Sequence, residues 1–163
     1  MRVKVVISWL FVIVWMGVIF MFSSMNGEES TDLSDSGIRD VVSSAVSVTN
    51  KMGITHDDGN QKYFIEEMVI YLNYPVRKCA HMFEYFVLAM LVFNAFYVSG
   101  VDTKKLIYYV IGFVFIYACT DEFHQMFTGR TAMFADVLID TLGGYLGILF
   151  CRLLSKKGIL LKY

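Results

Sequence analysis

Three short stretches of the chain concentrate side chains that can move protons or hold ions. The first is Arg77, Lys78, His81, Glu84 and Tyr85. Lys78, His81 and Tyr85 are spaced i, i+3 and i+7, so on a helix they share one face with Glu84 at its margin. The second is Asp121, Glu122, His124 and Gln125, with Asp121 and Gln125 one helical turn apart and Thr128-Gly129-Arg130 following. The third is Asp136 and Asp140, again one turn apart. A histidine, which titrates near neutral pH, beside buried carboxylates is an acid–base arrangement. His81 is the candidate acid or base, with Glu84, Asp121 and Asp136 as its catalytic partners or orienters. Lys78 and Arg130 are cations suited to a phosphate or carboxylate. Arg77, Tyr85, Glu122, Gln125 and Asp140 complete the candidate binding set. The acids Glu84, Asp121, Glu122, Asp136 and Asp140 outnumber the fixed cations Arg77, Lys78 and Arg130. A divalent cation held by carboxylate oxygens and an imidazole is therefore the cofactor such a set would take. No HExxH-type motif accompanies it. Ser23 or Ser24 is a conceivable nucleophile, but nothing in the spacing brings either to His81.

Each of these residues also has a plainer reading. Arg77 and Lys78 can extend to a membrane interface with no further role. His81 can be a satisfied core histidine. Asp136 can pair with Arg130 to fix a turn, and Asp140 can bind a backbone group. Glu122 and His124 can sit in a wet loop.

The elements that would carry these residues are apolar. Of 163 residues, 56% are hydrophobic and only 18% charged, with 16% aromatic, one proline and a mean hydropathy of +0.55. A soluble fold of this size has too little interior to hide so much apolar area. The net charge of −1 and pI near 6.3 supply no basic field for nucleic acid. The three cysteines, Cys79, Cys119 and Cys151, are far apart in apolar stretches and form neither a disulfide framework nor a zinc pattern.

Four apolar runs predict membrane-spanning helices over about 5–25, 79–98, 106–127 and 132–154. The first is too long for a signal-peptide core and is read as a retained span. The stretch 26–76 is polar, and its acids outnumber the bases Arg39, Lys51 and Lys62. Within it, Ile38, Val42, Ala45, Val48 and Met52 predict one amphipathic helix. Ile65, Met68, Val69 and Leu72 predict another, ending before Asn73-Tyr74-Pro75. His56 to Asn60 reads as a loop. The stretch is either a solvated cap with helices at the interface or a substrate-binding lid. The fold class expected is an all-α polytopic membrane protein, one domain over 1–163, with four transmembrane helices and two short extracytoplasmic amphipathic helices between the first two.

Lys and Arg set the orientation. Arg2 and Lys4, Lys104 and Lys105, and Arg152, Lys156, Lys157 and Lys162 all fall on one side of a four-span chain. Both termini are therefore expected in the cytoplasm and 26–76 outside. The ionisable groups then gather at the outer end of the bundle, where each is costly to insert unless paired or used. Gly143 and Gly147 on the Asp136–Asp140 face would let a neighbouring helix approach closely.

Arg77-Lys78-x-x-His81-x-x-Glu84-Tyr85, then Asp121-Glu122-x-x-Gln125-x-Phe127-x-Gly129-Arg130, then Asp136 with Gly143 and Gly147, resemble the VanZ-like family. The Phe22-Ser23-Ser24 end of the first span looks like that family too. The resemblance covers nearly the whole chain. It implies a small polytopic protein of the bacterial cytoplasmic membrane, in a family whose founding member is associated with resistance to the glycopeptide teicoplanin. Three departures stand out: Met25 where glutamine is usual, Thr128 where proline is usual, and Asp140 where asparagine is usual. The functions to weigh are an enzyme acting on the head group of a lipid or cell-wall precursor, a protein that binds or shields such a head group, and a small transporter. The apolar stretches Leu88–Val98, polar only at Asn94, and Ile107–Ala118 offer little to a conduit.

Overall fold

A computed structural model describes residues 2–25, 27–53, 60–128 and 133–156. His56 to Gly59, Gly129, Arg130 and the tail beyond Lys156, including Lys157 and Lys162, lie outside the described residues. The described chain is helical: α1 (Arg2–Ser23), α2 (Gly27–Lys51), α3 (Gln61–Val98), α4 (Thr103–Gln125) with a short 3-10 turn at Met126–Thr128, and α5 (Phe134–Lys156). Among the described residues α1, α3, α4 and α5 are long and apolar enough to cross a membrane. The chain is a multi-pass membrane protein.

The chain divides into two compact units, Met1–Met25 with Ala80–Tyr163, and Asn26–Cys79. In the first, the helix directions follow from the side chains that tie them. Asn94 donates to Ser8 Oγ at 3.2 Å and the Trp15 indole N–H to the Glu84 carbonyl at 2.9 Å, so α1 and α3 run antiparallel. Tyr117 donates its hydroxyl to the Met16 carbonyl at 2.7 Å and the Phe20 ring lies 4.2 Å from that of His124, so α1 and α4 run parallel. The glycines fix the remaining seam. A Cβ on Gly143 would lie 2.2 Å from the Met82 carbonyl oxygen, and one on Gly147 2.4 Å from that of Phe86. The backbones of α5 and α3 therefore meet directly. The expected close approach occurs, and α3 is the neighbour.

Large apolar side chains face outward along the spans, among them Val6, Leu10, Phe11 and Ile13 of α1 and Ile116 of α4. That is the pattern of helices solvated by lipid. The inward face is built from Val12 and Ile19 of α1, Leu88, Ala89 and Val92 of α3, Leu106, Val110, Val114 and Ala118 of α4, and Val137, Ile148 and Cys151 of α5. The α3–α4 corner is a Schellman turn. Gly100, at φ 86°, donates to the Tyr97 carbonyl at 3.0 Å, and Val101 donates to that of Phe96 at 3.1 Å. Asp102 then caps α4 by accepting from the Lys104 N–H at 2.8 Å.

The Asn26–Cys79 unit pairs α2 with the first half of α3. Arg39 grips Glu66 in a two-point ion pair, one arm of it 2.9 Å long. Asn50 and Gln61 exchange amide hydrogen bonds at 3.1 Å. Asn73 donates to Ser34 Oγ at 2.7 Å and to the Asp35 carboxylate. Partners rise along one helix as they fall along the other, so the two are antiparallel. Both amphipathic stretches are thus helical, but the second does not stop before Pro75. It continues through that proline into the second span as one helix of 38 residues. An interior proline costs a helix about 3 kcal/mol. The bonds from Asn73 and from Arg77 to α2, on either side of Pro75, hold the segment helical regardless. The first stretch is also longer than expected, because its helix already begins at Gly27.

Candidate functional site

The buried stripe of each helix in the first unit changes character at one end. On α4 it runs Leu106, Val110, Val114, Ala118 and then Asp121, Glu122 and Gln125. On α1 it runs Val12, Ile19 and then Ser23. The stripe of α3 begins with His81, Glu84 and Tyr85 before turning apolar at Leu88. That of α5 begins with Asp136 and Asp140 before the glycines. Given the helix directions, these four polar ends coincide.

Asp121, Glu122, Gln125 and Asp140 are nearly inaccessible, at 2, 6, 3 and 3% exposure, and Ser23 and Tyr85 are fully buried. Gln125 donates to Asp121 Oδ2 at 3.3 Å. Ser23 lies against the same carboxylate without forming a hydrogen bond to it, and His81 and Glu84 are within electrostatic reach. His81 Nδ1 is 3.3 Å from Glu84 Oε2, with both side chains 16% exposed. Asp140 feels His81, Asp121, Glu122 and Asp136. The Tyr85 hydroxyl stands in the field of Asp121, Asp140 and Glu84, and its ring is 6.1 Å from that of Tyr117. Glu122 accepts from the Met133 backbone N–H at 3.1 Å and so secures the start of α5. Asp136 occupies the first turn of α5, where a helix end favours an acid.

His81, Glu84, Tyr85, Asp121, Glu122, Gln125, Asp136 and Asp140 therefore belong to one cluster. Arg77 and Lys78 fall in the Asn26–Cys79 unit. There Arg77 donates to Thr31 Oγ1 at 3.2 Å, and the Lys78 ammonium sits 5.3 Å from the centre of the Tyr74 ring. Arg130 lies outside the described residues. His124 is not in a loop but in the last turn of α4, its ring tilted against that of Phe20. Among the described residues no three His, Cys, Asp or Glu side chains are gathered closely enough to hold a metal ion.

Two members emerge only from the packing. Tyr117 lies one turn before Asp121 on the face that continues to Gln125, a period-four signal hidden in an apolar run. Of the paired serines, Ser23 points inward. Ser24 is exposed and donates back to the Phe20 carbonyl at 2.6 Å. Chemically, the cluster offers a histidine 3.3 Å from a carboxylate at its shallower edge and an acceptor-rich interior of carboxylates and hydroxyls.

A family model described as VanZ/LLP1 matches residues 8–155, most of the chain and all four spans. No curated protein and no solved structure matches it.

Proposed function

The chain belongs to the VanZ/LLP1 family, and from that premise we propose that it engages the head group of a membrane lipid or lipid-linked cell-wall precursor in the polar end of its bundle. The observation that carries this reading is the coincidence of four buried polar helix ends, with Ser23, Tyr85, Asp121 and Asp140 all withdrawn from solvent. Ionisable groups inside a membrane are expensive and face a partner or a task. A head group is the polar matter most available at that depth. His81 is the proton carrier and Glu84 its orienter, so the site acts on what it holds. The same grip without chemistry, altering access of a glycopeptide such as teicoplanin to its wall precursor, is the second reading. It needs of Ser23 and Asp121 only the contact they make.

Sidedness follows from the far end of the bundle. Arg2, Lys4, Lys104, Lys105 and Arg152 lie at or near the helix ends opposite the cluster. With positive charge retained inside, the cluster opens outward from a bacterial cytoplasmic membrane and both termini are cytoplasmic. In a background lacking native cysteines, Ser36→Cys should react with an impermeant thiol reagent on intact cells and Thr103→Cys should not. The reverse pattern would overturn the sidedness.

The function is tested by expressing the chain in a teicoplanin-sensitive bacterium and comparing His81→Ala and Asp136→Asn with the parent. Both variants should insert and accumulate normally yet lose any protection or lipid change the parent confers. Full retention of that phenotype in both would remove them from the function. Loss of lipid modification with protection retained would favour the shielding reading.

A further inference from the structure

The cluster's composition says more about its ligand than that it is polar. Asp121 and Asp140 are buried on facing helices, each in the other's field, with Glu84, Glu122 and Asp136 around them. Among the described residues of this cluster, His81 is the side chain that can carry positive charge. Ionised carboxylates withdrawn from water need a cation or several donors.

The hydrogen-bond inventory points the same way. Ser23 Oγ, the Tyr85 hydroxyl and Asp121 Oδ1 are buried and have no hydrogen-bond partner among the described residues. An ionised carboxylate only accepts, and a hydroxyl offers one O–H donor beside two acceptor lone pairs. Five carboxyl groups against these few donors leave the interior with more acceptor sites than donors. A phosphate would add acceptors and negative charge beside the carboxylates. Among the described residues no trio of ligands is gathered for a metal ion. A quaternary ammonium has charge but no N–H. A primary ammonium brings one positive charge and three donors. Exposure falls from the partly open His81 and Glu84 side chains to the closed Ser23 and Tyr85. That gradient suits a slender group entering tip first.

We propose that the ligand of this cluster bears a primary ammonium group, received by the carboxylates of Asp121 and Asp140 and the hydroxyls of Ser23 and Tyr85. The proposal rests on the head-group reading and names the chemical class of that head group. An aminoethyl phosphodiester lipid supplies the group, and so does a free small amine.

The test uses the full chain purified in detergent. Its affinity is measured for phosphatidylethanolamine, the N-acetylated form of that lipid, phosphatidylcholine and phosphatidylglycerol, all of one chain length. Phosphatidylethanolamine should bind at least tenfold more tightly than the other three. Asp121→Asn and Asp140→Asn should each erase most of that preference. Tyr85→Phe, which keeps the ring's packing, should reduce it less. If the aspartate variants fail to fold, the lipid series on the unaltered chain still decides. Displacement of the lipid by free ethanolamine would show that the ammonium alone is recognised. Preference for phosphatidylethanolamine without such displacement would show that the lipid is needed with it. Equal affinity for all four lipids would overturn the ammonium assignment and leave the head-group reading standing. No binding of any lipid would overturn both.

Discussion

In the Asn26–Cys79 unit an acid meets its base in the open: Glu66 receives Arg39 at the exposed faces of two helices, and Asp35 receives Asn73. At the polar end of the bundle Asp121 receives the Gln125 amide at 3.3 Å and has Ser23 against it, while Asp121 Oδ1 and the Tyr85 hydroxyl remain without hydrogen bonds among the described residues. The residue types are alike and the circumstances opposite. Where each polar group finds a complementary one, the polar residues position helices, and their loss costs little in water. Where buried polar groups of like kind are pressed together, they weaken the fold and require another reason to be there. The same contrast runs through the glycines. Gly37 of α2 has open space around its missing Cβ, whereas Gly147 of α5 has the Phe86 carbonyl.

The contrast is most easily broken at those glycines. Gly147→Ala should destabilise by about 1–3 kcal/mol, the usual cost of overpacking, because backbone cannot swing aside as a side chain would. Gly37→Ala should stabilise by roughly 0.5–1 kcal/mol, the helix preference alone. Thermal unfolding in detergent compares them, and equal effects would mean that α3 and α5 do not meet as described.

A smaller effect sharpens the account of the cluster's margin. Tyr117→Phe removes one hydrogen bond, to the Met16 carbonyl, and should cost about 1 kcal/mol. If it also abolishes lipid binding while leaving the unfolding temperature nearly unchanged, Tyr117 belongs to the site rather than to the joint between α1 and α4. The smallest change is expected from Arg39→Gln. It breaks an exposed ion pair, and neither unfolding nor lipid binding should shift measurably. A loss of binding there would mean that the polar ties of the Asn26–Cys79 unit serve the ligand after all.

Much of this architecture was legible in the residues. Apolar runs of bilayer length bounded by charge define the spans. Turn-spaced acids and a glycine pair on one face foretold both the cluster and the seam. What escaped reading did so for physical reasons. Pro75 argued locally for a break, but Asn73 and Arg77 hold its flanks to α2 through bonds to residues some forty positions away, and sequence spacing does not report such bonds. Tyr117 sits in an apolar run where tyrosine usually marks an interface. Ser23 and Ser24 are neighbours separated by about 100° around the helix, so composition cannot say which one turns inward. Lys78 shared a helical face with His81 on paper, yet its ammonium sits over the Tyr74 ring, and its neighbour Arg77 donates to Thr31.

The choice between those two serines is made far from either. In lipid an apolar helix gains little by burying apolar surface against its neighbours, and association falls to packing and directed bonds. Among the described residues α1 buries Val12, Ile19 and Ser23, yet four bonds fasten it at two depths. At one, the Trp9 indole reaches Ser99 Oγ at 3.2 Å and Asn94 reaches Ser8 Oγ; at the other, the Trp15 indole reaches the Glu84 carbonyl and the Met16 carbonyl takes the Tyr117 hydroxyl. All of them leave α1 on the side that faces α3, α4 and the corner between them, so a turn about the helix axis would break them together. Together they act as a rotational lock whose setting is read out at the last residue of the helix. Releasing all four bonds would free α1 to turn by one residue, and the cluster would then be offered Ser24 or the Phe22 ring in place of Ser23.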